Sequence, residues 1–240
     1  MGPVYGAHLH KQATEDRRSN GPVVPSYPVT LTKPGFPIRA EDDQAPMSVI
    51  EDKSRLRMWA RERRAAARHQ APTEAGERLR DNFVAAMGDM GVAAGVVSGY
   101  WPIADEIDVR PLMTRLLELG FACALPVVTA PGAPLSFRRW RPGAALVRGP
   151  FGTRHPEPGE PSLRPDIVLA PLLAFDDRGT RLGWGGGYYD RTIGALRRQG
   201  PVLTVGAAFA AQRVDAVPHA PNDRRLDWIV TEESWMRARP

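Results

Sequence analysis

Cysteine is all but missing from this chain: one residue, Cys123, stands among 240. That excludes an internal disulfide and a cysteine-based zinc cluster. Cys123 lies in the apolar run Phe-Ala-Cys-Ala-Leu, which reads as a buried hydrophobe rather than a nucleophile. Long apolar runs are missing too. None reaches the roughly 18–20 residues that span a bilayer. The first twenty residues lack the apolar core of a secretory signal, so a cytoplasmic protein is expected. Internal repeats are also absent, which argues against a solenoid or propeller.

What is present is ordinary in amount: 42% hydrophobic and 25% charged residues, enough for a sizeable core. The net charge of +5 suits acidic partners such as nucleotides, nucleic acid or polyanionic metabolites, without choosing among them. Residues 1–46 differ from the rest. Their proline-dense stretch from Gly21 to Pro37 shows neither helical nor strand period, so a disordered or extended tail is expected. Translation starting at Met47 would make that tail non-native. Residues 47–240 are expected to form a single domain.

Val49 to Ala67 is rich in good helix formers, and Lys53, Arg57, Arg61 and Arg64 recur along it every three or four residues. A basic stripe of this kind is ordinarily a solvated face, or else a grip for RNA. Thr73 reads as the N-cap of a second helix reaching about Met90. Strands are expected over Val92–Tyr100, Phe121–Val128, Leu135–Trp140, Asp166–Leu173, Val202–Phe209 and Trp228–Val230. Helices are expected over Ile107–Leu119 and Tyr188–Arg198, and a long loop over 141–165. Strands alternating with helices imply an α/β fold with a mostly parallel sheet flanked by helices.

The segment Arg181-Leu-Gly-Trp-Gly-Gly-Gly-Tyr-Tyr-Asp-Arg191 holds four glycines within five positions. Such a cluster is entropically costly, and close approach of backbone amides to a phosphate is the usual reason for it. The spacing is neither a Walker loop nor a Rossmann fingerprint. Asp190 lies where phosphates would gather, and Mg2+ is the natural bridge between them. Alternatively it is an acid that favours a helix start. Asp223 is the candidate second acid, or a turn aspartate after Pro221.

These residues closely resemble the signature of the 5-formyltetrahydrofolate cyclo-ligases, also called methenyltetrahydrofolate synthetases. Lys53-Ser-Arg-Leu-Arg57, Tyr100-Trp-Pro-Ile-Ala-Asp-Glu-Ile-Asp108, Gly149 to Pro158, Pro165 to Asp176, Gln212 to Pro218 and Asn222 to Glu232 are similar to further family segments, in order. The resemblance implies a three-layer sandwich like the NagB/RpiA/CoA-transferase-like fold. It implies ATP- and Mg2+-dependent closure of 5-formyltetrahydrofolate to 5,10-methenyltetrahydrofolate, with ADP and phosphate released, by a monomer with no nucleic-acid or membrane partner.

The resemblance assigns nucleotide binding to Lys53, Ser54, Arg55, Leu56 and Arg57, and to Arg181, Leu182, Gly183, Trp184, Gly185, Gly186, Gly187, Tyr188 and Tyr189. Substrate contacts fall to Arg57, Trp101, Glu106 and Trp184 through Tyr188. Glu106 would hydrogen-bond the pterin. Arg181, Tyr188 and Asp190 are the implied catalytic residues, with Asp190 and Asp223 holding the metal. No Ser-His-Asp or cysteine centre is needed for such a reaction. Trp184, Gly186 and Trp101 depart from some members, which carry basic residues at the first two positions and an aliphatic one at the third. Two other functions stay open: a nucleotide-binding relative without folate activity, and an RNA-binding protein using Arg55 to Arg68.

Overall fold

The computed structural model describes residues 49–239, so the expected 1–46 tail lies outside the described residues. The chain opens with helix α1 (Val49–Gln70) and helix α2 (Ala75–Met90). Acids begin α1 and basic residues end it, matching the helix dipole. Helix α2 ends where Gly91 turns left-handed at φ 67°, and the Val92 amide donates back to the Met87 carbonyl. Thr73 is not its N-cap. Glu74 takes that position without a side-chain hydrogen bond.

Then follow β1 (Val96–Ser98), α3 (Arg110–Glu118), β2 (Ala122–Val127), β3 (Ser136–Trp140), β4 (Leu146–Arg148), β5 (Arg154–Pro156), β6 (Ile167–Pro171), β7 (Ala174–Phe175), β8 (Arg181–Leu182), α4 (Tyr188–Gln199), β9 (Leu203–Ala207), β10 (Trp228–Val230) and β11 (Trp235–Arg237). The seven-stranded sheet runs β11-β10-β9-β6-β1-β2-β3. Its five inner strands pair in parallel, and each edge strand pairs antiparallel.

Inward side chains alternate between the two faces, as strand geometry requires. Val97, Cys123, Leu125, Leu169 and Val205 pack with Leu79 and Phe83 of α2 and with Leu112, Met113 and Leu116 of α3. On the other face Ala124 and Val168 meet Leu196 of α4, while Ala170 and Ile229 meet Ile193. The result is the expected α/β/α sandwich. Cys123 is fully buried, and burial pushes its thiol up to about 12, as expected of a hydrophobe and not a nucleophile.

Several elements differ from expectation for identifiable reasons. Strand β1 is shorter because Gly95 (φ 129°) breaks its start. Gly99 ends it against the Met113 sulfur, where a β-carbon would lie only 2.1 Å away. Ile107 and Val109 continue the apolar period but precede α3, whose first turn holds Pro111 and whose Arg110 amide donates outward to the Asp108 carboxylate at 2.9 Å. The expected loop at 141–165 contains the β4–β5 hairpin, and a second hairpin, β7–β8, separates β6 from the glycines. The second turns around buried Asp176, which accepts from the Arg178, Thr180 and Val217 amides.

From β1 the chain moves outward to β2 and β3. It then returns to β6 on β1's other side and continues to β9 and β10. The order therefore reverses between β1 and β6, the place where open α/β sheets bind ligands beyond their strand ends. Helix α1 is docked there by Leu56 and Ala60, which pack with Leu173, Ala174, Leu182 and Val217. Leu56→Ala should therefore cost about 2–5 kcal/mol in urea unfolding. Met58→Ala, at a position 65% exposed, should stay within about 0.5 kcal/mol.

Candidate active site

Glu106 follows β1, the glycine segment follows β6 and its hairpin, and α1 lies against both. The glycines need no strand pairing to stay closed, because Arg181 holds both ends of the segment. Its Nη2 pairs with Asp190 in the first turn of α4 at 3.0 Å, and its Nη1 donates to the Arg224 carbonyl at 2.7 Å. The Arg224 amide in turn donates to Asp190 at 2.9 Å. Arg191 adds a 2.6 Å bond to the Gly186 carbonyl. Gly185 (φ 103°) and Gly187 (φ 65°) occupy conformations that favour glycine. A β-carbon on Gly183, in contrast, would meet no protein atom within 4 Å.

The basic stripe of α1 turns towards this segment and not simply to solvent. Lys53 forms an ion pair with Asp223, whose carboxylate also accepts from the Ala220 amide at 2.7 Å. Burial pushes the Asp223 carboxyl up, but Lys53 and that amide together hold it below the usual carboxylate range. Arg57 donates to the Gly183 carbonyl at 3.1 Å. The Arg61 guanidinium stands 4.6 Å from the Trp184 ring centre, and Arg64 stands 5.0 Å from it.

Trp184 reaches back from the glycines to Glu106, its indole N–H lying 3.4 Å from Oε1. The Ile103 amide donates to Oε2 at 3.0 Å, and Arg64 pairs with Oε1 at 3.6 Å. Burial raises the Glu106 carboxyl, opposed by the Ile103 amide, the Arg64 charge and the Trp184 indole.

Lys53, Arg57, Glu106, Arg181, the glycines, Asp190 and Asp223 thus form one continuous neighbourhood. Leu56 and Leu182 are packed in the apolar cluster that docks α1, so their side chains support the site from behind. Ser54 and Arg55 are exposed on α1. Tyr189 packs against the core beneath α4, and burial drives its hydroxyl well above the ordinary tyrosine value. Tyr188 faces Phe151 at the β4–β5 tip, ring centres 6.0 Å apart.

Trp101 lies elsewhere, over the Arg110 guanidinium at 5.0 Å. It lines a groove of about 440 Å³ whose other walls come from α2, α3 and the end of β3, not from the glycines. Arg64 joins this neighbourhood beside Glu106 and Trp184, although in sequence it is only one cation of the basic stripe. The signal lay in the spacing Leu56, Ala60, Arg64, Ala67, which puts an arginine on the helix's buried side.

The indole N–H favours the charged form of Glu106. Trp184→Phe should therefore move the Glu106 midpoint further up in carboxyl carbon-13 NMR titration. An unchanged or lowered midpoint would show that the 3.4 Å contact carries no hydrogen bond.

Residues 49–232 match the model of the 5-formyltetrahydrofolate cyclo-ligase family. A 5-formyltetrahydrofolate cyclo-ligase of Mycolicibacterium smegmatis is 34% identical over 148 residues, covering 58% of this chain and 75% of the relative. One from Escherichia coli is 33% identical over 145 residues, covering 58% and 79%. The solution structure of Aquifex aeolicus 5,10-methenyltetrahydrofolate synthetase superposes with a TM-score of 0.62 at 28% identity, covering 78% of this chain and 93% of that one. The match spans both the α1 stripe and the glycine segment, and the chain belongs to the 5-formyltetrahydrofolate cyclo-ligase family.

Proposed function

We propose that the protein uses ATP to close 5-formyltetrahydrofolate to 5,10-methenyltetrahydrofolate, releasing ADP and phosphate. The observation that carries this reading is the meeting of three things at one switch point: the backbone amides of a glycine cluster, the α1 cations and a buried carboxylate. The formyl oxygen is a poor leaving group. It attacks the γ-phosphorus, the bond to the β-bridging oxygen breaks, and ADP departs. The neighbouring amine nitrogen then attacks the activated carbon and gives up its proton. The C–O bond breaks, phosphate leaves, and the methenyl bridge remains.

Such a transfer asks the protein for alignment and charge stabilisation, not for a nucleophile. Lys53, Arg57 and Arg181 supply positive charge beside the glycine amides at the start of α4, where the helix dipole favours an anion. Tyr188 borders the same loop. Glu106 accepts hydrogen bonds from the heterocycle. On this reading Trp101 contributes from the neighbouring groove.

Asp190 and Asp223 are the residues suited to Mg2+. Among the described residues no three His, Cys, Asp or Glu side chains converge on one point. Two carboxylates completed by phosphate oxygens nevertheless form a ligand set that Mg2+ commonly takes. Bound there, the ion would offset phosphate charge beside Lys53 and Arg181.

The purified protein with 5-formyltetrahydrofolate, ATP and Mg2+ should develop methenyl absorbance that chelation abolishes and Mg2+ restores. No ATP-dependent signal would overturn the reading, and salt-sensitive RNA binding without turnover would favour the nucleic-acid alternative. Asp190→Asn keeps the bond from the Arg224 amide but loses the charge. It should lower turnover at least ~100-fold for a loss of about 1–3 kcal/mol in stability. Gly183→Ala meets no protein atom, so stability should hold or rise by about 0.4–1 kcal/mol, while the KM for ATP rises. An unchanged KM would place the nucleotide elsewhere.

A further inference from the structure

Arg64 is buried without the short hydrogen bonds that usually accompany a buried arginine. Its residue is only 1% exposed, yet its contacts are long. The Glu106 oxygen lies 3.6 Å away. The Leu172 carbonyl lies 3.5 Å away and is already taken by Gln212 at 2.7 Å. The Arg64 Nε–H is buried with no partner at all. Arginine–carboxylate pairs are frequently short and bidentate, and buried donors almost always find an acceptor from protein, water or ligand.

The neighbouring acceptor is underused in the same way. Oε2 of Glu106 is held by the Ile103 amide at 3.0 Å. Oε1 receives only the 3.4 Å indole contact and the 3.6 Å arginine contact. The guanidinium that carries this unpartnered Nε–H therefore stands, through its Nη1 at 3.6 Å, beside a carboxylate oxygen held only by long contacts, at the strand ends where the sheet order reverses. Together they match a ligand edge that carries a carbonyl next to an N–H.

We infer that Arg64 is a further substrate-recognition residue, donating to the ring carbonyl of the pterin while Glu106 accepts from the adjacent ring N–H. The inference rests on the folate reading above. It adds a residue whose role is discrimination of the heterocycle, separate from phosphate binding. Trp184 sets the pair's position by standing against both side chains.

The test compares 5-formyltetrahydrofolate with its 2,4-diamino analogue, in which an amine replaces the ring carbonyl. Binding is measured by calorimetry to the full chain and to its Arg64→Met and Arg64→Lys variants. The wild type should prefer the oxo compound at least about tenfold, because a site built to donate to a carbonyl rejects an analogue lacking it. Arg64→Met should bind the oxo compound at least about tenfold more weakly and lose most of the discrimination, with the KM for ATP within about twofold of wild type.

Arg64→Lys keeps the charge but not the planar fork, so it should lose discrimination too. It serves as the reporter if the methionine variant does not fold. Full discrimination retained by the variants, or none in the wild type, would overturn this inference while leaving ATP-dependent turnover intact. A wild type that neither binds nor turns over the folate would overturn the proposed function and the inference together.

Discussion

The pair between Arg181 and Asp190 is the contact on which the site's shape rests. It joins the start of β8 to the first turn of α4, and so closes the glycine segment from outside. Because the closure is made by side chains, the backbone inside the segment keeps its amides for another partner. The same pair reaches the 220–224 loop through the two Arg224 backbone groups. Asp223 next door receives Lys53. One chain of charges therefore runs from α1 through the late loop to β8 and α4. Removing one member of a half-buried pair leaves its partner's charge uncompensated, so a change in one of these elements is felt by the others.

Much of this architecture was legible in the chain. Apolar runs rich in valine and isoleucine gave the inner strands, since strands buried on both faces show continuous hydrophobicity. The final inner strand, Trp228–Val230, has the expected bounds. The edges were harder to read. Trp235–Arg237 is three residues of mixed polarity, and its pairing with β10 is a fact of tertiary context. The two hairpins of the 146–182 region are too short for a period to declare itself. Asp176, which organises one of them, looks in sequence like any loop aspartate.

The site was legible in part, for a different reason. The glycines and their flanking charges announce a close approach, because few other needs explain such a costly cluster. The stripe on α1 was ambiguous: four cations at helical spacing look alike whether they face water, RNA or their own protein. What separates them is the apolar companions. Leu56 and Ala60 dock the helix, and that rotation carries Lys53 and Arg57 to the glycine segment and Arg64 to Glu106. Trp184 stands where some members of the family carry a basic residue. In the fold it stands between the α1 cations and Glu106, so an aromatic face does mechanical work there, linking the loop to the helix.

The lone thiol has a consequence of its own. Cys123 sits in β2, between β1 and β3, with no accessible surface and with its proton held by burial. Oxidants and alkylating reagents act on thiolates they can reach, so the folded enzyme offers them nothing at this position. The sulfur becomes available only when the sheet opens around β2, an event far rarer than the fraying of loops and termini. The chain thereby carries a single-hit chemical clock in the strand next to the sheet's edge, one whose labelling rate reads the opening of the sheet around β2 without any engineered probe.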